Sequence, residues 1–222
     1  AFPNSFSHEI FEHTEKYNEF WMIKDYYYHN KKSPEFKISD NTINPKLLSK
    51  EILKRRPIKT ELPKYLAEAG MLQVEFLLDF GSFRDIQRHR AVTQRMPLLT
   101  SEIGFEKWYI NELPKEYRVK AEKFITEQEK KIKKLKISKE EKQYYLAMGY
   151  KISNRLTGNL PSLVYLVELR ATRFVHPTLR RKAKMLAEKM LKLFGKHGLV
   201  LHLDKEIDRF DIKRGEHDIV LK

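Results

Sequence analysis

Apolar positions recur at helical spacing from the start of the chain, where Ile10, Tyr17, Trp21 and Tyr28 fall seven, four and seven positions apart. Residues 1–60 accordingly read as a helical N-terminal extension and linker, and residues 61–222 as the main domain. The linker is "KKSPEFKISDNTINPK", a polar stretch with two prolines. Short helices are predicted over Lys46–Arg55 and Glu61–Ala69. The pattern then changes. "MLQVEFLLDF" (Met71–Phe80) is predicted as a strand, broken by Gly81, with Ser82 placed to cap the helix that follows.

Beyond Pro114 an amphipathic pattern predicts a long helix to about Lys136, and Ser138 with Glu141 forms a capping box for the next one. "LPSLVYLVELR" (Leu160–Arg170) is apolar nearly all round, so its helix should be buried. Leu179, Ala183, Leu186, Met190 and Leu193 mark the core face of a helix that follows Pro177 and stops at Gly195 or Gly198. The tail carries two strand-like pieces, "LVLHL" and "DIVLK". Together these elements predict an α+β fold that is helix-rich, with a small sheet packed against long helices.

Composition narrows the function. A chain of 222 residues with 41% hydrophobic content has room for a real core. No apolar run approaches transmembrane length and no signal-peptide pattern opens the chain, which starts at Ala1 as a trimmed or excised piece would. Cysteine is absent, which removes disulfides, thiolate nucleophiles and Cys-based metal sites and suits a cytoplasmic protein. The formal net charge of +14 admits nucleic acid, an anionic surface or phosphorylated small molecules as partners. Much of that charge is lysine, as in "KKIKKLK" (Lys130–Lys136), which reads as a solvated face.

The exception is "RDIQRHRAVTQR". It holds Arg84, Arg88, His89, Arg90 and Arg95 against a single acid, Asp85. An internal ion-pair network needs about as many acids as arginines, so phosphate recognition by arginine forks fits this segment better. On a helix opening just after a strand, Arg84, Arg88 and Arg95 would share one face, and the helix amides would add to the attraction. Arg170 closes the buried Leu160–Arg170 helix and must find an acceptor there, either Glu168 or a substrate oxygen. The eight histidines show no metal-ligand spacing, and no P-loop, GxGxxG or GxSxG occurs.

Two blocks, "FRDIQRHRAVTQ" and "GNLPSLVYLVELRATRFVHPTLRRKA", resemble the flavin-dependent thymidylate synthases, the ThyX family. The family signature is Arg-His-Arg, seven residues, then Ser, with a later Asn, Ser-Leu and leucine-rich turn ending in Leu-Arg. The similarity covers about Met71–Leu193. It implies a FAD site on Arg88, His89, Arg90 and Asn159, with NADPH and methylenetetrahydrofolate as co-substrates. It places a dUMP-like nucleotide on Arg170, which would polarise the uracil as the catalytic residue, and Arg84, Asp85 and Arg95 are the further candidates for holding that nucleotide. It also implies a homotetramer, or pairing with a second ThyX-like half in a duplicated protein. The family's serine position holds Leu98, its Asn-Glu pair is Arg95-Met96, and its later histidine is Phe174. The flavin-side arginines are therefore kept while most nucleotide-side residues differ. A catalytically degenerate scaffold, binding a nucleotide or nucleic acid through its basic surface, stands as the alternative expectation.

Overall fold

The computed structural model describes residues 34–58 and 60–205. The aromatic stripe expected over residues 1–30 and the strand-like "DIVLK" lie outside them.

Four strands form one antiparallel sheet in the order β1-β2-β4-β3: β1 (Phe36–Asn41), β2 (Met71–Asp79), β3 (Thr93–Arg95) and β4 (Lys151–Asn159). β2 is the expected strand. Its alternation buries Leu72, Val74, Phe76 and Leu78, which pair with Gly158, Leu156, Asn154 and Ile152 of β4 and so share one face. The segment read as linker supplies β1, which corrects that reading. Phe36 stacks on Phe76 with ring centroids 5.7 Å apart, and the β1–β2 ladder satisfies the backbone that the local composition left open. β3 and β4 also go beyond the sequence-based expectation. Within β4 only Ile152 and Leu156 carry large apolar side chains, and Ser153, Asn154 and Arg155 hide the alternation between them.

The helices follow the predicted pattern more closely. α1 (Lys50–Arg55) is capped by Ser49 and is shorter than expected, because Pro45–Leu47 forms a separate 3-10 turn. Residues Lys64–Ala69 are also 3-10, not α-helical, and enter through Pro63. α2 (Phe80–Ile86) is capped by Asp79, whose Oδ2 accepts from the Ser82 amide at 2.9 Å. Ser82 is thus inside the helix, and its hydroxyl bonds Thr178 at 2.8 Å. The expected cap lies three residues too late.

After α3 (Lys107–Asn111) comes the long α4 (Lys115–Lys134), then α5 (Lys139–Lys142) with both halves of its capping box formed. α6 (Leu160–Arg170) and α7 (Pro177–Phe194) pack on each other and on the sheet. Leu163, Val164 and Val167 of α6 and Leu179, Ala187 and Met190 of α7 are almost fully buried. Burying one such aliphatic side chain contributes about 1.5–3 kcal/mol, so these two helices anchor the core.

"LVLHL" makes no strand, which corrects that expectation. Its backbone is engaged by side chains instead: Val200 O accepts from Arg56 Nη2 at 3.2 Å, and the His202 amide donates to Glu168 Oε1 at 2.8 Å. The fold is α+β.

Candidate functional site

α2 ends at Ile86, and the chain then turns through hydrogen bonds from the Gln87 amide to Phe83 O and from the His89 amide to Ile86 O, at 3.0 and 2.8 Å. It re-enters the sheet as β3. The expected single helical face of Arg84, Arg88 and Arg95 is therefore corrected: Arg84 lies in the last turn of α2, Arg88 in the turn and Arg95 on β3. The edge of β4 recruits Thr93–Arg95, and Gln94 Nε2 locks the turn by donating to Ile86 O at 2.6 Å. Tertiary pairing here outweighs the helical spacing of the arginines.

Arg170, at the end of α6, reaches this turn. Its Nε donates to His89 Nε2 at 2.9 Å and its Nη2 donates to the Asp85 carbonyl at 2.9 Å. His89 is buried, with the edge of Tyr165 against its ring at a centroid distance of 5.9 Å. Burial, and then the positive charge of Arg170, lower the His89 pKa to about 4. The imidazole is thus neutral at pH 7, and its role as acceptor at Nε2 places its proton on Nδ1. Burial also lowers the Arg170 pKa, opposed by the Asp85 carboxylate and reinforced by the charge of Arg88.

Glu168 does not serve Arg170. Its carboxylate is gripped by both Nη atoms of Arg56, whose side chain is 3% exposed and whose Nη1 also donates to Thr60 O at 2.5 Å. Of the two acceptors open to Arg170, the acid is taken, and the guanidinium holds a histidine ring and a main-chain carbonyl. Its Nη1 has no partner among the described residues.

Arg88 and Arg90 flank the buried His89, and both are exposed. Neither meets an acid among the described residues. Arg84 is exposed, with Nη1 3.6 Å from Met148 Sδ. Arg95 stands opposite Arg155 in the β3–β4 ladder, with its Nε buried and without a hydrogen-bond partner among the described residues. Asn159 caps α6, its Oδ1 accepting from the Ser162 amide at 3.0 Å.

Gly158 brings the turn alongside α6. A Cβ there would lie 2.8 Å from Val92 Cγ1, a clash that glycine avoids. The 86–92 turn thus lies along α6, from Val92 near its N-terminus to His89 near its C-terminus. The structure gathers Asp85, Arg88, His89 and Arg170 in one place and leaves Arg84 and Arg95 outside that group.

Tyr165 went unnoticed in the sequence. The one signal for it is a single aromatic in an otherwise aliphatic helix, one and a half turns before Arg170. Asp79 was missed as well: fully buried, it caps α2 and accepts from Tyr109 Oη at 3.0 Å. That contact and burial push the Tyr109 hydroxyl pKa upward, with burial the larger cause.

These features define a helix-rich α+β protein with an exposed arginine pair on a turn that a part-buried Arg–His contact holds. No family model matches the chain. It is 28% identical over 172 residues to a UPF0159 protein of Chlamydia pneumoniae, covering 74% of this chain and 31% of that one. It is 29% identical over 126 residues to a UPF0159 protein of Chlamydia muridarum, covering 56% and 24%. The matched region thus spans less than a third of the length of either relative. Among solved structures, the chain is similar to thymidylate synthase X of Helicobacter pylori with FAD and dUMP, at 17% identity and a TM-score of 0.42, over 58% of this chain and 73% of that one. Superposition that loose says nothing of chemistry. Among the described residues no helix is long and apolar enough to cross a membrane.

Proposed function

We propose that the chain is a flavin-nucleotide-binding protein of the flavin-dependent thymidylate synthase type, with the phosphates of FAD on Arg88 and Arg90. One observation carries this reading. Arg170 spends two of its nitrogens inside the protein to hold His89 and Asp85, and the two arginines that flank His89 stand on an exposed turn where neither meets an acid among the described residues. Two exposed guanidinium groups two residues apart suit a pyrophosphate, because arginine forks match phosphate oxygens in geometry as well as charge.

The other residues fit the same group. Asn159 uses its Oδ1 as a cap and leaves its Nδ2 able to donate. Arg170 Nη1 is left for a ligand oxygen. The Arg-His-Arg and Asn…Leu-Arg blocks of the sequence support the same assignment. Bound FAD would supply reversible hydride chemistry, which no side chain of this protein can.

Transfer of a one-carbon unit from methylenetetrahydrofolate to dUMP, with NADPH as reductant, is the finer form of the reading. Leu98 offers no hydrogen bond where a serine would, and a missing donor in a polar pocket costs orders of magnitude in specificity. Completion of the nucleotide side therefore falls to a second copy or to another part of a longer protein, in keeping with the greater length of the relatives.

The test is an absorption spectrum of the protein after incubation with FAD and desalting. Flavin bands that persist in the wild type and vanish in Arg88→Ala are expected. A colourless wild type would overturn the reading.

A further inference from the structure

Tyr165, whose ring meets His89, also lines a half-open groove of about 480 Å³ formed by α6 and the residues just after it, by Arg56, Ile58 and residues 60–62, and by residues 202–204. That volume falls in the range of small-molecule pockets. Nothing in the arginine turn accounts for it: Arg84, Arg88, Arg90, Arg95 and Arg170 are all absent from its lining.

Its walls indicate what fits. Ile58, Tyr165, Leu169 and Phe174 line it while remaining 71%, 48%, 42% and 48% exposed, so four large apolar side chains present surface to water around one concavity. The guanidinium of Arg173 lies over the Phe174 ring, 4.8 Å from its centroid, and makes a flat shelf. The cations are answered from within. Arg56 holds Glu168, while Asp204 accepts from the Arg173 amide at 3.0 Å and lies 3.7 Å from its guanidinium. A charged ligand would compete with those pairs, whereas a neutral one leaves them intact. The lining also includes the Thr172 hydroxyl, a polar group that a pure hydrocarbon would leave dry, whereas His202 Nε2 already meets Arg56 O at 3.1 Å.

We infer that this groove binds an uncharged, planar heteroaromatic ring, stacked between Tyr165 and the Arg173–Phe174 shelf. The assignment stands independently of FAD at Arg88, since it uses other residues. Two sources share this chemistry: the ring of the flavin nucleotide itself, reaching across Tyr165 from the arginine turn, and a separate ring-bearing molecule.

The experiment measures binding of lumichrome and of adenine, two neutral flat rings, to the full chain by equilibrium dialysis. It is done for wild type, Phe174→Ala, Thr172→Trp and Arg88→Ala, with circular dichroism on each variant to confirm the fold. Phe174 is half-exposed, so its truncation keeps the test alive if Thr172→Trp fails to fold. Saturable binding of at least one ring is expected. It should weaken about tenfold or more in the two groove variants, a change of about 1.4 kcal/mol, and stay unchanged in Arg88→Ala. Added FAD then separates the sources: displacement of the ring assigns the groove to the flavin, and simultaneous binding assigns it to a second molecule. The inference is overturned if neither ring binds the wild type, or if both folded groove variants bind as well as the wild type does. Failure of FAD to bind at all, with ring binding intact, would sink the flavin reading and leave the groove standing.

Discussion

A histidine that accepts a hydrogen bond from an arginine cannot also carry a proton at that nitrogen, and this fixes how His89 responds to pH. In the unfolded chain it titrates near 6.5 and in the folded protein near 4, so between those values the unfolded state binds one more proton. Stability contributed at this site is complete above about pH 6.5 and is lost as the pH falls towards 4. The full linkage corresponds to about 3 kcal/mol, and screening by solvent at this partly enclosed ring brings the expected loss to about 2 kcal/mol. Chemical denaturation across that window should show the decline in wild type and a flatter profile in His89→Gln, which keeps a neutral acceptor.

Asn154 gives a second prediction at this scale. It is fully buried on the core face of β4, and neither Oδ1 nor Nδ2 has a hydrogen-bond partner among the described residues. Removing an unsatisfied buried amide relieves its desolvation cost, so Asn154→Leu should raise stability by about 1–3 kcal/mol in urea unfolding. A destabilised variant would show instead that the amide holds a buried water or a ligand.

Among the elements, α6 connects the core to the site. Its apolar flank packs against α7, Arg170 at its end grips the arginine turn, and Glu168 clamps Arg56 and the 199–204 strap. Glu168→Ala leaves the Arg56 guanidinium buried without its anion, which should cost about 3–5 kcal/mol in the urea midpoint, with Glu168→Gln milder. An unchanged midpoint would show that water reaches Arg56.

The helices of this scaffold were legible because their apolar period and caps are local: Ser138 with Glu141, the run after Pro177 and the apolar stretch ending in Arg170 all formed as read. β1 and β4 were not, because strand pairing is decided by residues far away in sequence. Phe36 needs Phe76, and Asn154 interrupts the alternation that would have marked β4. At the site, the charge imbalance of Arg84–Arg95 pointed to an anion. No sequence signal showed that Arg170 would bond His89, since that contact joins residues 81 positions apart.

For the molecule as a whole, the net charge of +14 is a poor guide to function, because much of it lies on exposed faces such as that of α4. What distinguishes Arg88 and Arg90 is position: they are fixed beside a buried, neutral histidine, and no acid among the described residues answers them. Binding at that turn should therefore depend on those side chains and not on overall charge. The most direct measurement is a titration of the full chain with FAD, followed by flavin fluorescence, for wild type, Arg88→Ala and the charge control Lys123→Ala on exposed α4. The account predicts binding that weakens tenfold or more in Arg88→Ala, a loss of about 1.4 kcal/mol or greater, and is unchanged in Lys123→Ala. A wild type that ignores FAD, or equal losses in the two variants, would contradict it.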